Sequence, residues 1–206
     1  MKPAEIAKAL RKLSGRHGVY DIFRDWVSSM ALAIANSVDH RPEVHAAREA
    51  EYMAIVARHA EDPSIMPAFK ALLHDGLVPA LEGEPSDVLG EVFHLLELHN
   101  KDAGQFFTPW PLALLCAEMT MGAEPLPACG FITSNEPTIG GGAMVLAQAV
   151  AMRRRGFDPS RQFHVVGQDI DRKVLLMAYV QLSLCGIPAV LFVGDTLRMT
   201  MREDWY

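Results

Sequence analysis

A glycine-rich turn, Glu136-Pro137-Thr138-Ile139-Gly140-Gly141-Gly142, separates a short apolar run from a helical pattern. Glycines let backbone N–H groups come close to a ligand, because no Cβ stands in the way. A strand that passes through such a turn into a helix is typical of parallel α/β sheets. The turn alone is a weak signal, since its glycines could serve only as a tight strand–helix connection.

The two halves of the chain show different hydrophobic patterns. The first half repeats apolar residues at helical spacing, and the second alternates short apolar runs with helical patterns. We therefore predict a helical N-terminal region over residues 1–100 and an α/β domain with right-handed crossovers over residues 101–206. The predicted helices are 3–14, 20–37, 42–60, 64–80, 86–100, 110–121, 142–155 and 173–185. The predicted strands are 128–133, 163–166 and 189–193.

An acidic residue follows each predicted strand: Glu136, Asp169 and Asp195. In an open α/β sheet, ligands bind outside the carboxyl ends of the strands. An acid after the second strand is placed to accept hydrogen bonds from ribose hydroxyls. Asp195, in Gly194-Asp195-Thr196-Leu197, could accept one from the exocyclic amine of adenine. The alternative role for a single acid is helix capping, which we prefer for Asp171 and keep open for Asp169.

A second loop, Gly104-Gln105-Phe106-Phe107-Thr108-Pro109, precedes the glycine turn by one helix and one strand. Two loops in this order can form opposite walls of one small-molecule pocket. In series with the segments at 167–171, 182–187 and 194–197, they resemble the N6-adenine DNA methyltransferases. The similarity is greatest to the modification subunits of type I restriction-modification systems, and it covers about residues 85–200.

The resemblance implies a Rossmann-like, S-adenosylmethionine (SAM)-dependent methyltransferase fold with a partial parallel sheet, behind a helical region. SAM is the implied cofactor, and methyl transfer to adenine N6 in DNA is the implied activity. The residues that the resemblance assigns to SAM are Phe107, Thr108, Pro109, Glu136, Pro137, Gly140, Gly142, Asp169, Ile170, Asp195 and Leu197.

Each group of these residues has an implied role in the family. The Phe-Thr-Pro loop closes over the methionine end of SAM, and the glycine turn matches an acidic Pro-x-x-Gly-x-Gly motif in which Asp is more usual than Glu136. Asp169 binds the ribose, and Asp195 binds the adenine amine. Ile170 and Leu197 pack against the adenine ring.

The chain departs from the family in one motif. Adenine methylation uses an Asn-Pro-Pro-aromatic motif that holds the flipped base, and this sequence contains no such tetrapeptide. The catalytic residues are therefore unknown. Two functions remain open: a methyltransferase that obtains this motif elsewhere, or a catalytically inactive SAM-binding regulator or assembly partner. A dinucleotide-binding domain is a third, against which the Phe-Thr-Pro and Gly-Asp-Thr-Leu segments argue.

Without further strands, the predicted sheet has an open edge near Phe131. An uncovered apolar edge invites aggregation. We therefore expect the N-terminal helices, the C-terminal tail, a second copy of the chain or a partner chain to cover it.

Composition limits the partners. The net charge is −6, and residues 1–100 carry 10 Lys and Arg against 15 Asp and Glu, so no broadly basic DNA-binding surface is indicated. We expect DNA to be reached through or with another subunit. The clusters Arg153-Arg154-Arg155 and Lys8 to Arg16 are interpreted as solvated helix faces.

The remaining expectations concern location and metals. The eight histidines lack metal-ligand spacing, and no apolar run is long enough for a membrane span. The three cysteines form no Cys-x-x-Cys pair and are expected to be reduced core residues of a cytoplasmic protein.

Overall fold

The computed structural model describes residues 1–98, 107–121 and 126–206. Its helices are α1 (Pro3–Leu13), α2 (Val19–Val38), α3 (Pro42–Arg58), α4 (Ile65–Ala71), α5 (Val78–Leu81), α6 (Val88–Leu95), α7 (Trp110–Thr120), α8 (Ala143–Arg154), α9 (Pro159–Gln162) and α10 (Arg172–Leu184). Its strands are β1 (Ile132–Glu136), β2 (Phe163–Asp169), β3 (Ala189–Asp195) and β4 (Thr200–Trp205).

The predicted helix over 64–80 is wrong as one continuous helix. A π-helical segment, Leu72–Leu77, separates α4 from α5. Pro79 has no N–H to donate to the carbonyl four residues back, and its ring crowds that carbonyl. The Val78 N–H instead bonds to the Leu73 carbonyl, five residues back, which widens the turn.

The predicted helix over 86–100 is too long. Helix α6 ends at Leu95, because Glu97 adopts the left-handed conformation with φ of 58°. The Leu98 N–H then bonds to the Phe93 carbonyl, as in a helix-terminating Schellman motif. His99 and the first part of the predicted loop, Gly104–Phe106, lie outside the described residues.

The sheet confirms the predicted α/β class. Within the described residues its order is β1-β2-β3-β4, with β1, β2 and β3 parallel and β4 antiparallel to β3. The first strand prediction, 128–133, is misplaced, because β1 starts only at Ile132. Consequently Cys129 lies exposed before the strand, and its assignment to the core is wrong.

The fourth strand was not predicted, because its polar residues give no apolar alternation. Trp205 alone is fully buried there, where it packs against Tyr179 with ring centroids 5.1 Å apart. The Arg48 guanidinium lies 4.6 Å from the Trp205 ring centre, and it donates to the Asp204 carbonyl. The C-terminal strand is thereby fixed to α3 of the N-terminal region.

The two faces of the sheet differ in burial. Phe163 and Val165 of β2 and Leu191 of β3 are at most 2% exposed and belong to the main hydrophobic core. On the opposite face, Val166 is 39% exposed and His164 is also exposed. Parallel sheets are ordinarily covered on both faces, so this face is unusual.

The open edge is at β1, where the described residues provide no strand beyond it. The expectation that the N-terminal helices or the C-terminal tail cover this edge is wrong for the described residues. The tail pairs with β3 at the opposite edge, and α2 packs on α10. Phe131, which precedes β1, is 42% exposed.

Candidate functional site

The three predicted acids lie at one edge of the sheet. Glu136, Asp169 and Asp195 are the last residues of β1, β2 and β3, so each strand runs further than its apolar run suggested. Because the three strands are parallel, their carboxyl ends meet. The Glu136 side chain makes no hydrogen bond within the described residues and remains available to a ligand.

Asp169 connects the first two loops. Its Oδ2 accepts a hydrogen bond from the Gly140 N–H at 2.9 Å, and its Oδ1 accepts one from the Asp171 N–H at 2.9 Å. Burial raises the pKa of Asp169 above its ordinary value, although these backbone N–H groups partly offset it. The carboxylate thus holds the glycine turn next to the end of β2, and it has no basic partner among the described residues.

Asp195 organises the third loop. Its Oδ1 accepts hydrogen bonds from the Leu197 N–H at 3.0 Å and the Arg198 N–H at 3.1 Å. The Thr196 hydroxyl donates to the Pro137 carbonyl, which joins this loop to the glycine turn. All three loops at the carboxyl edge are therefore linked by hydrogen bonds.

The structure itself requires glycine at two positions of the turn, apart from any contact with a ligand. Gly140 and Gly142 have φ of 57° and 92°, in the left-handed region that favours glycine. A Cβ at Gly142 would also lie 3.2 Å from the Ala178 Cβ, so this glycine lets α8 approach α10.

Two exposed apolar side chains flank the acids. Ile170 is 61% exposed directly after Asp169, and Leu197 is 96% exposed two residues after Asp195. Exposed apolar side chains next to polar ones are typical of ligand sites, where they can pack on a ring. Their positions agree with the predicted adenine contacts, which remain predictions.

Phe107 lies against the glycine turn. Its Cε1 atom would be 3.6 Å from a Cβ at Gly140, and its ring contacts Phe93 edge-on, with centroids 5.0 Å apart. The Phe-Thr-Pro segment is thereby placed next to the turn, as the order of the loops predicted.

A cavity of about 360 Å³ opens between α6 and the Phe-Thr-Pro segment; we call it the α6 cavity. Its volume falls within the range of small-molecule sites. It is lined by Ser86, Asp87, Gly90, Glu91, His94, Phe107, Thr108, Pro109, Trp110 and Pro111.

Asp87 and Gln181 are site residues that the sequence analysis missed. Gln181 is fully buried, and its Nε2 donates to Asp87 Oδ1 and to the Gly141 carbonyl, both at 2.9 Å. Its Oε1 accepts from the Leu89 N–H at 2.9 Å. The signal was a single amide inside the apolar run of α10, but its partner lies 94 residues away.

Asp171 caps α10, as predicted: its side chain accepts a hydrogen bond from the Lys173 N–H at 3.0 Å.

The arginine cluster at 153–155 forms ion pairs within the fold. Arg154 pairs with Glu84 and Glu118, and Arg155 also reaches Glu118. The 153–155 cluster therefore ties α8 to its neighbours. Within residues 1–98, 107–121 and 126–206, no group of three His, Cys, Asp or Glu side chains is arranged to hold a metal ion. No helix in these ranges is long and apolar enough to cross a membrane.

No curated protein sequence matches the chain significantly. A solved structure, the methyltransferase subunit of a type I restriction-modification system from Streptococcus thermophilus, aligns over 98% of this chain with 16% identity and a TM-score of 0.46. The chain spans 61% of that subunit's length.

A family model gives the match that decides the family. The model of the N-6 DNA methylases matches residues 85–204, which is more than half of the chain, and it includes the three acids, the glycine turn and the Phe-Thr-Pro segment. The predicted resemblance is thereby confirmed, and the chain belongs to the N-6 DNA methylase family.

Proposed function

We propose that this chain binds SAM at the carboxyl edge of its sheet and serves adenine-N6 methylation of DNA in the cytoplasm. The observation that carries the proposal is the hydrogen bond from the Gly140 N–H to Asp169, which sets the glycine turn and the ribose-binding acid together. The Thr196–Pro137 hydrogen bond adds the third loop.

The donor and acceptor groups fit SAM. Within the described residues, Asp169 and Asp195 accept hydrogen bonds from backbone N–H groups. Their remaining lone pairs can accept hydrogen bonds from ribose hydroxyls and an adenine amine. Ile170 and Leu197 would lose exposed apolar surface against the adenine ring. SAM, once bound, supplies a methyl group carried on a positively charged sulfur.

The methionine end would lie towards the Phe-Thr-Pro segment. Thr108 has no hydrogen bond from its hydroxyl within the described residues, so it can donate to a carboxylate. Glu136 provides a negative charge at the end of β1, which favours a cationic ligand.

Calorimetric titration with SAM tests the cofactor. We expect the parent protein to bind, and Asp169→Ala and Asp195→Ala each to weaken binding by roughly tenfold or more through lost charge-assisted hydrogen bonds. Asp158→Ala is the control, because Asp158 is an exposed cap of α9. If the parent does not bind SAM, or if the site variants bind it as tightly as Asp158→Ala does, the proposed SAM site is rejected.

A partner chain is the second part of the proposal. The outer sheet face and the β1 edge are exposed in the described residues, and the sequence has no Asn-Pro-Pro-aromatic motif. We propose that another polypeptide, or a second copy, covers this edge and that DNA is bound with its help. Backbone hydrogen exchange in β1 of the isolated chain checks this: slow exchange in a monomer would contradict it.

The alternative is a catalytically inactive SAM-binding regulator or assembly partner of a DNA-modification complex. The absent base-holding motif favours it. Transfer of labelled methyl groups from SAM to adenine-containing duplexes separates the two. Transfer by the chain, alone or with its partner, supports the enzyme, whereas SAM binding without any transfer supports the regulator.

A further inference from the structure

The floor of the α6 cavity is a buried carboxylate. Asp87 is 7% exposed and caps α6, where its Oδ1 accepts from the Gly90 N–H and from Gln181 Nε2, both at 2.9 Å. Its Oδ2 accepts no hydrogen bond within the described residues. Because Asp87 lines the cavity, this oxygen is placed to accept a hydrogen bond from a ligand there.

Asp87 lies beside the glycine turn. A Cβ at Gly141 would be 3.6 Å from Asp87 Oδ1 and 3.7 Å from the Phe107 ring. Gln181 bonds both to Asp87 and to the Gly141 carbonyl, which fixes the carboxylate and the turn relative to each other. The cavity floor and the turn therefore share one rigid wall.

The charge of the cavity selects its ligand. Among the described residues, its lining includes the carboxylates of Asp87 and Glu91 and the imidazole of His94, but no lysine or arginine. A phosphate or another anion is disfavoured by these carboxylates. A cation is favoured, and Trp110 in the wall adds an aromatic ring to which a cation is attracted.

We propose that Asp87 is the residue that binds the α-ammonium group of the methyl donor's methionine portion, which enters the α6 cavity beside Gly141. The proposal rests on the proposed function, because it takes SAM as the ligand. The ammonium would donate to Asp87 Oδ2 while Gly90 and Gln181 keep Oδ1. The buried Gln181 acts as a positioning residue through Asp87 and the Gly141 carbonyl.

Burial also raises the pKa of Asp87, which agrees with a carboxylate that has no cationic partner in the described part of the chain. Paired structural acids elsewhere in the chain show the opposite shift. The same environment makes Asp87 a functional-site candidate on general physical grounds.

The test compares two ligands and three variants by calorimetry. The ligands are S-adenosylhomocysteine, which shares the amino-acid portion of SAM, and its analogue lacking the α-amino group. Asp87→Asn and Asp87→Ser remove the charge but keep a side chain that can cap α6. Asp158→Asn removes a charge from an exposed helix cap that does not line the cavity, and it is the control.

We expect Asp87→Asn and Asp87→Ser to weaken S-adenosylhomocysteine binding by roughly tenfold or more, the size of a lost charge-assisted hydrogen bond. Binding of the deamino analogue should change by less than about threefold, as should both affinities in Asp158→Asn, because exposed charges contribute little. Because two different substitutions are used, the test still gives an answer if one of the variants does not fold.

Failure of the Asp87 proposal and failure of the proposed function would give different results. If the Asp87 variants bind S-adenosylhomocysteine like the parent, or weaken both ligands equally, the residue is only a helix cap and the inference is overturned. If the parent binds neither SAM nor S-adenosylhomocysteine, the proposed function itself fails.

Discussion

Two pairs of acidic residues in this chain differ in what surrounds them. Asp25 and Asp39, in the helical region, are each held by arginines. Within the described residues, Asp87 and Asp169, next to the glycine turn, accept hydrogen bonds only from backbone N–H groups and an amide. The difference separates acids that stabilise the fold from acids that have no cationic partner among the described residues and are available to a ligand.

The pKa shifts follow the same division. Burial alone would raise the pKa of Asp25, but hydrogen bonds from Arg58 and Arg24 lower it below its ordinary value. Hydrogen bonds from Arg41 hold the pKa of Asp39 well below its ordinary value. Burial raises the pKa of both Asp87 and Asp169. Ionised Asp87 and Asp169 thus reduce the stability of the ligand-free protein at neutral pH.

The largest expected effect is at Asp25. This side chain is 2% exposed and also contacts His59 Nε2 at 3.0 Å. Asp25→Asn should lower the free energy of unfolding by about 3 kcal/mol, because two arginines and a buried imidazole lose their charged partner. Urea denaturation at pH 7 measures the loss. A loss under about 1 kcal/mol would show that the pairing of this acid is not structural.

Asp39 should show a smaller loss. Arg48, whose side chain is 6% exposed, donates to Asp39 Oδ2 at 2.8 Å and would keep only the Asp204 carbonyl and the Trp205 ring. We expect Asp39→Asn to cost about 2 kcal/mol, as for a hydrogen bond to a charged group. Thermal unfolding checks it, with Asp158→Asn as an exposed control whose change should stay near zero.

Asp87→Asn should have the opposite sign. The variant removes a buried charge while the amide oxygen keeps the bonds from Gly90 and Gln181. We expect the empty variant to be as stable as the parent, or more stable by up to about 1 kcal/mol. Denaturation without ligand at pH 7 gives the answer, and a clear loss of stability would place Asp87 with the structural acids.

The structural acids and Asp87 should also differ in how their contribution to stability depends on pH. Asp25 and Asp39 have lowered pKa values, so their contribution is present above the unfolded-state pKa and is lost as pH falls through the folded-state pKa. Asp87 has a raised pKa, so its contribution is greatest below the unfolded-state pKa and is lost as pH rises through the folded-state pKa.

The advantage of Asp87→Asn over the parent should therefore grow as pH rises from 4 to 7, while the deficit of Asp25→Asn should also grow. Denaturation at both pH values measures the two trends. If the two variants changed in the same direction relative to the parent, the division between the two pairs of acids would be wrong.

The sequence allowed the carboxyl edge of the sheet to be predicted, because each acid follows an apolar run of strand length and the glycine turn marks the ligand side. Local pattern could not reveal the Asp87–Gln181 pair, since the two residues lie 94 positions apart. It also missed β4, whose order depends on pairing with β3 and on the burial of Trp205. Long-range pairing, rather than propensity, determines both features.

The role of Asp87 is tested most directly by the stabilisation that SAM gives to the parent and to Asp87→Asn, measured by urea denaturation at pH 7. Without SAM, we expect the variant to be at least as stable as the parent. With saturating SAM at equal concentration, we expect the variant to gain less stability than the parent by about 1.4 kcal/mol, which corresponds to tenfold weaker binding. A variant that is less stable without SAM, and that gains as much as the parent with it, would show that Asp87 is a structural acid and not a ligand-binding one.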